Sequence, residues 1–372
     1  MIKNKKINKN KQNATLSLCM IVKNEEKVLE RCLHSVGGVF DEIIIVDTGS
    51  TDSTINIAKK YTNKVFEIEW IDDFSYARNF SFSKATSDYI MWLDADDVVS
   101  DINRKKLIEI KSNNSKDVDV YMLKYNTAFD ENNKPTFSYY RERILKRTMN
   151  FKWKDEVHEA ITPRGNIKYC DIEIEHRSIK KGVSDRNLRI YEKIISSGKT
   201  LTPRQKFYYS RELYYNEKYD EAIKSFNEFI NSNEGWVENS INACLDLSYC
   251  YIVKKDLNNA LVALFKSFLS DNPRAEIVCQ IGYVFQLRKQ YNLAIYWYKQ
   301  ALSIPINQKS GAFCMLDAYN YLPCIELCVC YYNLGDIENS IKYNNLAGKY
   351  KPNDKSYLNN LKFFQENNFI KL

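Results

Sequence analysis

Acidic side chains follow three short apolar runs in the first half of the chain, and their types and spacing could support chemistry. Asp94-Ala95-Asp96-Asp97 comes directly after the apolar run 89–93. Two carboxylates one residue apart can hold a hard divalent cation, and such a cation can neutralise a diphosphate. Acids at the end of a buried strand are costly unless a cation meets them. A solvated turn is the alternative reading of this pair.

The other two acidic positions could form a pocket for a base and a ribose. Asp47 ends the apolar run 42–47 before any helix N–H is in reach. Its carboxylate is therefore expected to be free to accept a hydrogen bond from a ligand, for example from a base N–H. The segment 22–26 ends the first apolar run, and beside Asp47 it could line the same pocket. The alternatives are isolated surface acids and a loop that only caps the next helix through Thr51 or Ser53.

Apolar periodicity predicts the elements that must position these residues. Strands are expected at 16–22, 42–47, 65–69 and 89–93, and helices at 28–36, 53–61 and 74–85. The β-branched run 43–46 is typical of a sheet covered on both faces. Alternation at this spacing predicts an α/β fold with a doubly wound, mainly parallel sheet. Ligands on such sheets bind at the carboxyl ends of the strands.

Residues 118–176 follow a different pattern. Strand-like runs at 118–125, 143–147 and 167–176 are separated by loops that contain Pro135, Pro163 and Gly165. This pattern predicts a smaller mixed sheet that closes the first domain. A bridging helix is then expected at 183–195, and Pro203 ends the connection.

The second half has only helical periodicity, and it repeats. Small residues at Ala222, Ala260 and Ala294 are followed four residues later by a large apolar residue, and Ala294 lies 34 residues after Ala260. A small residue lets paired helices approach closely. The period and pattern resemble tetratricopeptide repeats. An unrelated α-helical bundle is the alternative.

Charge and cysteine usage limit the classes of function. The net charge is +7, but five lysines lie in residues 1–13, which we expect to be a disordered basic tail. The rest is near neutral, which argues against a nucleic-acid groove, although the tail could be a membrane or nucleic-acid arm. The chain has no apolar run near the ~20 residues of a transmembrane helix. Its ten cysteines include no C-x-x-C pair and are interpreted as reduced core thiols rather than metal ligands. A cytoplasmic protein is expected.

Four ordered motifs resemble family 2 glycosyltransferases. They lie at 18–25 (LCMIVKNE), 45–52 (IVDTGSTD), 73–79 (DFSYARN) and 93–97 (LDADD). The resemblance covers roughly residues 16–200. With helical repeats attached, the arrangement is similar to sublancin-type peptide S-glycosyltransferases.

The resemblance implies a GT-A fold, a UDP-sugar donor, Mn²⁺ or Mg²⁺, and inversion at the anomeric carbon. It also implies site residues. The nucleotide-sugar site would comprise Val22, Asn24, Glu25, Asp47, Arg78, Asn79, Asp94 and Ala95, with Asp47 reading uracil. The metal would be held by Asp96 with Asp94 and His176.

Inverting transfer needs a general base opposite the leaving diphosphate. The best-placed cluster is 155–159, in which Glu159 is the first candidate and Asp155 the second, with His158 beside them. Surface charge is the alternative reading of each. The chain lacks the Q-x-x-R-W signature of processive synthases, so polymer synthesis is disfavoured.

The expected organisation is a tail at 1–13, a GT-A domain at 14–200 and a tetratricopeptide-like domain at 201–372. The expected activity is transfer of a sugar from a UDP-sugar to a peptide or protein side chain held on the repeats. A cell-surface glycan or lipid-linked acceptor, a catalytically weak interaction scaffold, and a homodimer formed through the repeats are the alternatives.

Overall fold

The computed structural model describes residues 13–113, 117–179, 184–307, 311 and 313–370. Contacts divide the chain into two compact units, one of Met1–Thr127 with Tyr140–Lys181 and one of Ala128–Tyr139 with Gly182–Leu372. The basic tail falls almost wholly outside the described residues. The domain boundary at residue 200 stays a prediction. By their contacts, residues 184–200 belong to the second unit.

The first unit is a sheet with helices between its strands. In chain order its elements are β1 Leu16–Val22, α1 Leu29–Ser35, β2 Glu42–Asp47, α2 Thr54–Lys59, β3 Val65–Glu67, α3 Phe74–Ser83, β4 Tyr89–Trp92, β5 Asp97–Val98, α4 Asp101–Asn113, β6 Val120–Phe129, β7 Pro135–Lys146 and β8 Ile167–His176. The strand order is β3-β2-β1-β4-β7-β6-β8-β5. The tip of the β6–β7 hairpin belongs to the second unit.

The doubly wound arrangement is confirmed in the first four strands. β1 pairs in parallel with β2 on one side and β4 on the other, and β2 pairs in parallel with β3. The central strands β1 and β4 are apolar and almost completely buried, which is the pattern of a sheet covered on both faces. The chain winds outward from β1 to β3 and then crosses to β4, so the order reverses between β1 and β4. That switch point is where ligands bind in open α/β sheets.

The prediction of a separate smaller sheet over 118–176 is wrong. β7 pairs antiparallel with β4, with Met91 opposite Ile144, and so β6, β7 and β8 continue the same sheet. β7 is also longer than the predicted run at 143–147, because its polar first half still forms a strand.

A short antiparallel pairing sets the register beside the acidic turn. β5 pairs with β8, with Asp97 directly opposite His176. The backbone N–H of Arg177 also donates to the carbonyl oxygen of Asp96 at 2.9 Å. The late histidine is therefore brought to the acidic turn by backbone pairing.

The second unit is mainly helical. Its described helices are α5 Arg186–Ser196, α6 Pro203–Tyr215, α7 Tyr219–Ser232, α8 Val237–Val253, α9 Leu257–Lys266, α10 Ala275–Leu287, α11 Tyr291–Ser303, α12 Tyr321–Asn333, α13 Ile337–Tyr350 and α14 Lys355–Glu366. A two-residue strand, β9 (Cys314–Met315), pairs with the β7 residues Phe137 and Ser138 of the same unit. Successive helices from α6 to α13 pack against one another.

The predicted repeat is confirmed by one recurring turn. Before α7, α9, α11 and α13 the chain places a residue with positive φ, and these residues are Glu217, Lys255, Lys289 and Gly335. Ala222, Ala260 and Ala294 are fully buried, as expected for small residues between paired helices. In the α10–α11 pair, a Cβ added at Gly282 would lie 2.9 Å from the ring of Tyr298. The close approach of the two helices therefore depends on that glycine.

The cysteines belong to the core, as predicted. All ten are free thiols, and all except the half-buried Cys170 are buried. No helix in the described part of the chain is both long and apolar enough to span a bilayer.

Candidate active site

The acidic turn and the end of β8 form one cluster. His176 Nδ1 lies 3.3 Å from Asp96 Oδ1, and both side chains are partly exposed, at 33% and 17%. Ala95, between the two acids of the D-x-D pair, is buried. The turn is closed by the backbone N–H of Asp97, which donates to the carbonyl oxygen of Asp94 at 3.1 Å. This geometry brings together two of the three predicted metal ligands.

The buried side chain of Asp97 holds the turn 94–97 in place. Its Oδ2 accepts from Arg143 Nη1 at 2.9 Å and from the backbone N–H of Asp94 at 3.0 Å. The side chains of Asp97 and Arg143 are completely buried. The guanidinium of Arg143 also lies over the ring of Trp92, 3.7 Å from its centroid. A buried ion pair therefore supports the turn that carries Asp96.

A tyrosine links this anchor to the histidine. The hydroxyl of Tyr125 lies 3.0 Å from Asp97 Oδ1 and 3.0 Å from His176 Nδ1. Burial by itself lowers the pKa of His176, but hydrogen bonds and charge from Asp96 and Asp97 outweigh it and raise the pKa to about 10. Burial likewise raises the pKa of Asp96, and its contacts with His176 more than offset this and lower it. Without a cation, His176 carries the positive charge that these acids require.

The donor set suits a divalent cation. Among the described residues, Asp96, Asp97 and His176 form a group of possible metal ligands whose ligand atoms lie within 4.8 Å of one another. Carboxylate oxygens favour Mg²⁺ and Mn²⁺, and imidazole is accepted by first-row transition ions. The residues present therefore fit the ion that the sequence predicts, with Asp96 and His176 as the accessible donors.

Asp94 lies outside this cluster and pairs with an arginine. Arg78 Nη2 donates to Asp94 Oδ1 at 2.8 Å, and Arg78 Nε donates to Glu159 Oε1 at 2.5 Å. Burial raises the pKa of Asp94, but the charge of Arg78 outweighs it and lowers the pKa to about 2. The guanidinium lies about 5 Å from the ring centroids of Trp92 and Trp153. Arg78 therefore joins the D-x-D turn to the candidate base.

The candidate bases lie on a closed loop. Lys154 and Ala160 form an isolated antiparallel bridge, with both hydrogen bonds at 3.0 Å. Asp155 and His158 within the loop have positive φ, 73° and 54°, and are half-buried. The side chain of Asn79 does not point to an open cleft, because its amide exchanges two 3.0 Å hydrogen bonds with the backbone of Trp153. Asn79 therefore holds the segment that leads into this loop.

Asp47 is buried at the end of β2, and only one of its oxygens is used. Oδ1 accepts from the backbone N–H groups of Gly49 and Ser50 at 2.9 and 2.8 Å. Oδ2 is buried with no hydrogen-bond partner. The expectation of a free carboxylate is therefore correct for Oδ2 and wrong for Oδ1. A buried carboxylate oxygen without a donor is costly, and a ligand N–H would remove that cost.

The end of β1 packs against the same loop. Asn24 has a positive φ of 54°, and its Oδ1 accepts from the backbone N–H of Thr51 at 2.8 Å. The backbone N–H of Glu25 donates to Thr54 Oγ1 at 2.7 Å, and the carbonyl oxygen of Val22 accepts from Thr48 at 3.0 Å. These three predicted pocket residues therefore adjoin the Asp47 loop.

The predicted capping of α2 by the segment 51–53 is confirmed, but the residue that caps is Asp52 and not Ser53. Ser53 is the N-cap of α2 and makes no side-chain cap bond. The backbone N–H of Thr54 donates to Asp52 Oδ1 at 3.0 Å, and that of Ser53 donates to Glu26 Oε2 at 3.1 Å. The carboxylates of Asp52 and Glu26 therefore accept hydrogen bonds from the backbone at the start of α2. Glu26 lies in the segment that follows β1.

Replacing Asp47 is expected to weaken binding of UDP. Asp47→Asn keeps an acceptor for Gly49 and Ser50 but turns the unpartnered oxygen into an N–H donor. We expect Asp47→Asn and Asp47→Ala to cost about 1–3 kcal/mol, the range for losing a hydrogen bond to a charged group. Calorimetry with UDP measures this. Asp41→Asn, just before β2, is the matched control, and unchanged UDP affinity in both Asp47 variants would exclude Asp47 from the nucleoside pocket.

Several supporting residues were not predicted from the sequence. Tyr125, Arg143, Trp92 and Trp153 contact the site residues, and none belongs to a motif. Asp97 stood in the acidic motif, but its role as an anchor depends on a strand register that the motif does not contain.

Comparison with known proteins agrees with the motif order. Residues 17–165 match the profile of the family described as Glycosyl transferase family 2. The chain is 29% identical over 231 residues to the SPbeta prophage-derived glycosyltransferase SunS of Bacillus subtilis, a match that covers 59% of this chain and 54% of SunS. It is 50% identical over 84 residues to a TPR repeat-containing protein of Synechococcus elongatus, covering 23% of this chain and 21% of that protein.

Among solved structures, S. aureus TarS superposes with a TM-score of 0.37 at 15% identity, covering 66% of this chain and 54% of TarS. The chain spans about half the length of SunS and about a fifth of the Synechococcus protein. The acidic turn 94–97 lies within residues 17–165, whereas β8 and His176 follow that segment. The chain therefore carries a domain of glycosyl transferase family 2, followed by a helical region that resembles tetratricopeptide repeat proteins.

Proposed function

We propose that this protein is an inverting, metal-dependent glycosyltransferase that moves a sugar from a UDP-sugar to a peptide or protein side chain. The observation that carries the proposal is the placement of two complementary sites on either side of β1. Asp47 ends β2, Asp96 follows β4 and lies beside His176, and both strands flank β1. A nucleoside diphosphate has a base at one end and a diphosphate at the other, which matches this pair of sites.

In this proposal each site binds one part of the donor. Asp47 Oδ2 accepts the uracil N–H, and the ends of β1 and β2 line the nucleoside. Asp96 and His176 would hold Mn²⁺ or Mg²⁺, which would supply positive charge for the leaving diphosphate. Arg78 keeps Asp94 ionised and holds Glu159 beside it.

The general base is assigned to the loop 154–160. Glu159 is the first candidate, with Oε1 on Arg78 and a side chain that is 12% exposed. Asp155 is the second candidate on the same closed loop, with His158 near both. A base at this loop would deprotonate the acceptor as it attacks the anomeric carbon opposite the diphosphate.

The acceptor is assigned to the helical unit. Tyr215, Tyr283 and Tyr332 are exposed, at 39–41%, on α6, α10 and α12, the first helices of three repeats. Tyrosine combines apolar area with a hydrogen-bonding tip, which suits a polypeptide segment. A glycan or lipid-linked acceptor is the second candidate, and a homodimer on the same helices is the other use of this surface.

Mass spectrometry of polypeptides incubated with the full chain and a panel of UDP-sugars tests the proposal. We expect a sugar adduct on a side chain in the presence of Mn²⁺ or Mg²⁺. Glu159→Gln is expected to lower transfer by about 10²–10⁴-fold, the usual contribution of a general base, with UDP affinity retained. A loss of that size in Asp155→Asn, with Glu159→Gln near wild type, would move the base to Asp155. Absence of any adduct on polypeptides, with adducts on glycans, would contradict the acceptor assignment.

A further inference from the structure

We propose that an aromatic cavity in the helical unit binds a lysine or arginine side chain of the polypeptide acceptor. The cavity has a volume of about 500 Å³ and lies among α10, α11 and described residues of the connection between α11 and α12. This inference rests on the polypeptide acceptor of the proposed function. It adds the chemistry by which the helical unit selects that polypeptide.

Aromatic rings form one side of the cavity. Tyr296 and Trp297 line it from α11, and Tyr319 lines it from the connection to α12. The rings of Tyr296 and Trp297 are nearly perpendicular, at 86°, and their centroids lie 5.3 Å apart. Tyr296 is 55% exposed, so a ligand can reach it. A cation within about 6 Å of a ring face is attracted by the ring, and most strongly by tryptophan.

The size and lining of the cavity are those of a binding site. Ligand sites in proteins are commonly clefts of roughly 300–1,000 Å³ with mainly apolar walls and a few polar groups. Val278, Ile304 and Pro305 supply apolar lining here. Lysine and arginine carry an apolar stem below a charged head. The stem of such a residue can therefore pack on these walls while its head lies against the rings.

Arg274 also lines the cavity, but two acids share its charge. Its Nη2 lies 2.7 Å from Glu238 Oε1 and 2.9 Å from Asp271 Oδ2. The side chain of Glu238 is almost completely buried, and burial raises its pKa more than the charge of Arg274 lowers it. The arginine therefore does not fully compensate the acids around it.

A third carboxylate adjoins the cavity through Tyr319. Glu276 accepts from the hydroxyl of Tyr319 at 3.0 Å and from the backbone N–H of Met315 at 2.8 Å, and both donors are neutral. Burial raises the pKa of Glu276 more than these hydrogen bonds lower it. A nearby positive charge would stabilise the ionised form of this carboxylate.

The charges around the cavity decide between ligands. Three carboxylates stand against one guanidinium, so an anionic side chain would be repelled. A neutral aromatic side chain would use the walls but leave the acids uncompensated. A basic side chain complements both the rings and the acids, and such complementarity gives specificity. Since the proposed function assigns the polypeptide acceptor to the same unit, we take the side chain to come from that polypeptide.

Titration of the full chain with short peptides tests the cavity without any sugar donor. The probes are acetylated glycine–serine peptides with one central lysine, arginine, norleucine or glutamate, and norleucine keeps most of the lysine stem without the charge. The chain has five tryptophans, and the indole N–H signal lost in Trp297→Phe reports on the cavity. We expect lysine and arginine peptides to shift this signal and to bind about 2- to 30-fold more tightly than the norleucine peptide, the range of a cation–π contact.

Two substitutions should lower this preference. Tyr296→Leu removes an exposed ring from the wall, and Glu276→Gln removes a charge but keeps an acceptor for the backbone. Each is expected to reduce the ratio of lysine to norleucine affinity by at least about twofold. Glu338→Gln, at an exposed acid in the first turn of α13, is the matched control and should keep the wild-type ratio.

A polypeptide that the full chain glycosylates tests the role of the cavity toward the acceptor. Its lysine and arginine residues are replaced one at a time by norleucine. At the residue that occupies the cavity, we expect KM to rise with kcat unchanged, because this part of the acceptor does not react. Tyr296→Leu should raise KM for the original polypeptide more than for that norleucine form.

The outcomes separate this inference from the proposed function. Equal binding of lysine and norleucine peptides, or a preference that both variants retain in full, would refute the selection of a basic side chain and leave the proposed function standing. A preference for lysine at the cavity, with no norleucine replacement that raises KM, would refute only its role toward the acceptor. Absence of a sugar adduct on any polypeptide would refute the proposed acceptor and, with it, the occupant named here.

Discussion

Asp96→Ala is expected to lower turnover by at least about 10³-fold while the fold stays intact. A bound cation supplies several kcal/mol of stabilisation to the leaving diphosphate, and each 1.36 kcal/mol is a factor of ten in rate. Asp96 is partly exposed at the end of the sheet, so its loss should affect the ion and leave the core packing unchanged. Steady-state assays and Mn²⁺ titration measure the two effects.

A neighbouring exposed aspartate provides the control for this substitution. Asp101 is 85% exposed at the start of α4 and makes an ion pair with Arg104 three residues later. Pairs of this kind contribute little, so Asp101→Ala should leave turnover unchanged. Excess chelator should inactivate the wild type, and added Mn²⁺ or Mg²⁺ should restore it. Full activity of Asp96→Ala, or of the wild type in chelator, would contradict a metal-dependent reaction.

Arg143→Met is expected to destabilise the first unit by about 3–5 kcal/mol. The substitution leaves the completely buried carboxylate of Asp97 without its cation, and removing one partner of a buried pair has a cost of this size. Two other nitrogens of Arg143, Nε and Nη2, are buried without hydrogen-bond partners, so the burial of this arginine is only partly compensated in the wild type. Chemical denaturation followed by tryptophan fluorescence reports the change, because Trp92 lies against the guanidinium.

A double variant separates charge from packing. Arg143→Met with Asp97→Asn removes both charges and should recover much of the lost stability, because no unpaired ion remains. Arg104→Met in α4, which breaks a pair whose aspartate is 85% exposed, should cost less than about 1 kcal/mol. A double variant as unstable as Arg143→Met would show that lost packing, and not an unpaired charge, dominates.

The positions of β1 and β2 could be predicted because those strands are apolar and mostly buried. The predicted bounds of β1, β2 and β8 agree with the structure residue for residue. α4 was not predicted, since only Asn103 and Leu107 are buried along its 13 residues and its apolar periodicity is weak. The first half of β7 was missed for a related reason, because its residues are mostly half-buried and polar.

Sequence predicted the site residues that lie in motifs or at strand ends, but not the contacts that depend on strand register. Asp47 ends one predicted strand and Asp96 follows another strand of the same predicted sheet, so their shared sheet edge follows from the predicted topology. Asp97 and Tyr125 meet only because β5, β6 and β8 pair in one register. Asn79 shows the same limit: its position in a motif favoured a role toward the nucleotide, but its amide bonds the backbone of Trp153.

Release of UDP from a panel of nucleotide-sugars tests the central claim most directly. The wild-type chain, with Mn²⁺ or Mg²⁺ and without acceptor, should slowly hydrolyse at least one UDP-sugar and leave GDP- and ADP-sugars intact, because in the proposed function Asp47 reads the base. Chelator or Asp96→Ala should stop the release. No UDP from any UDP-sugar, or release that continues unchanged in chelator, would contradict a metal-dependent UDP-sugar transferase.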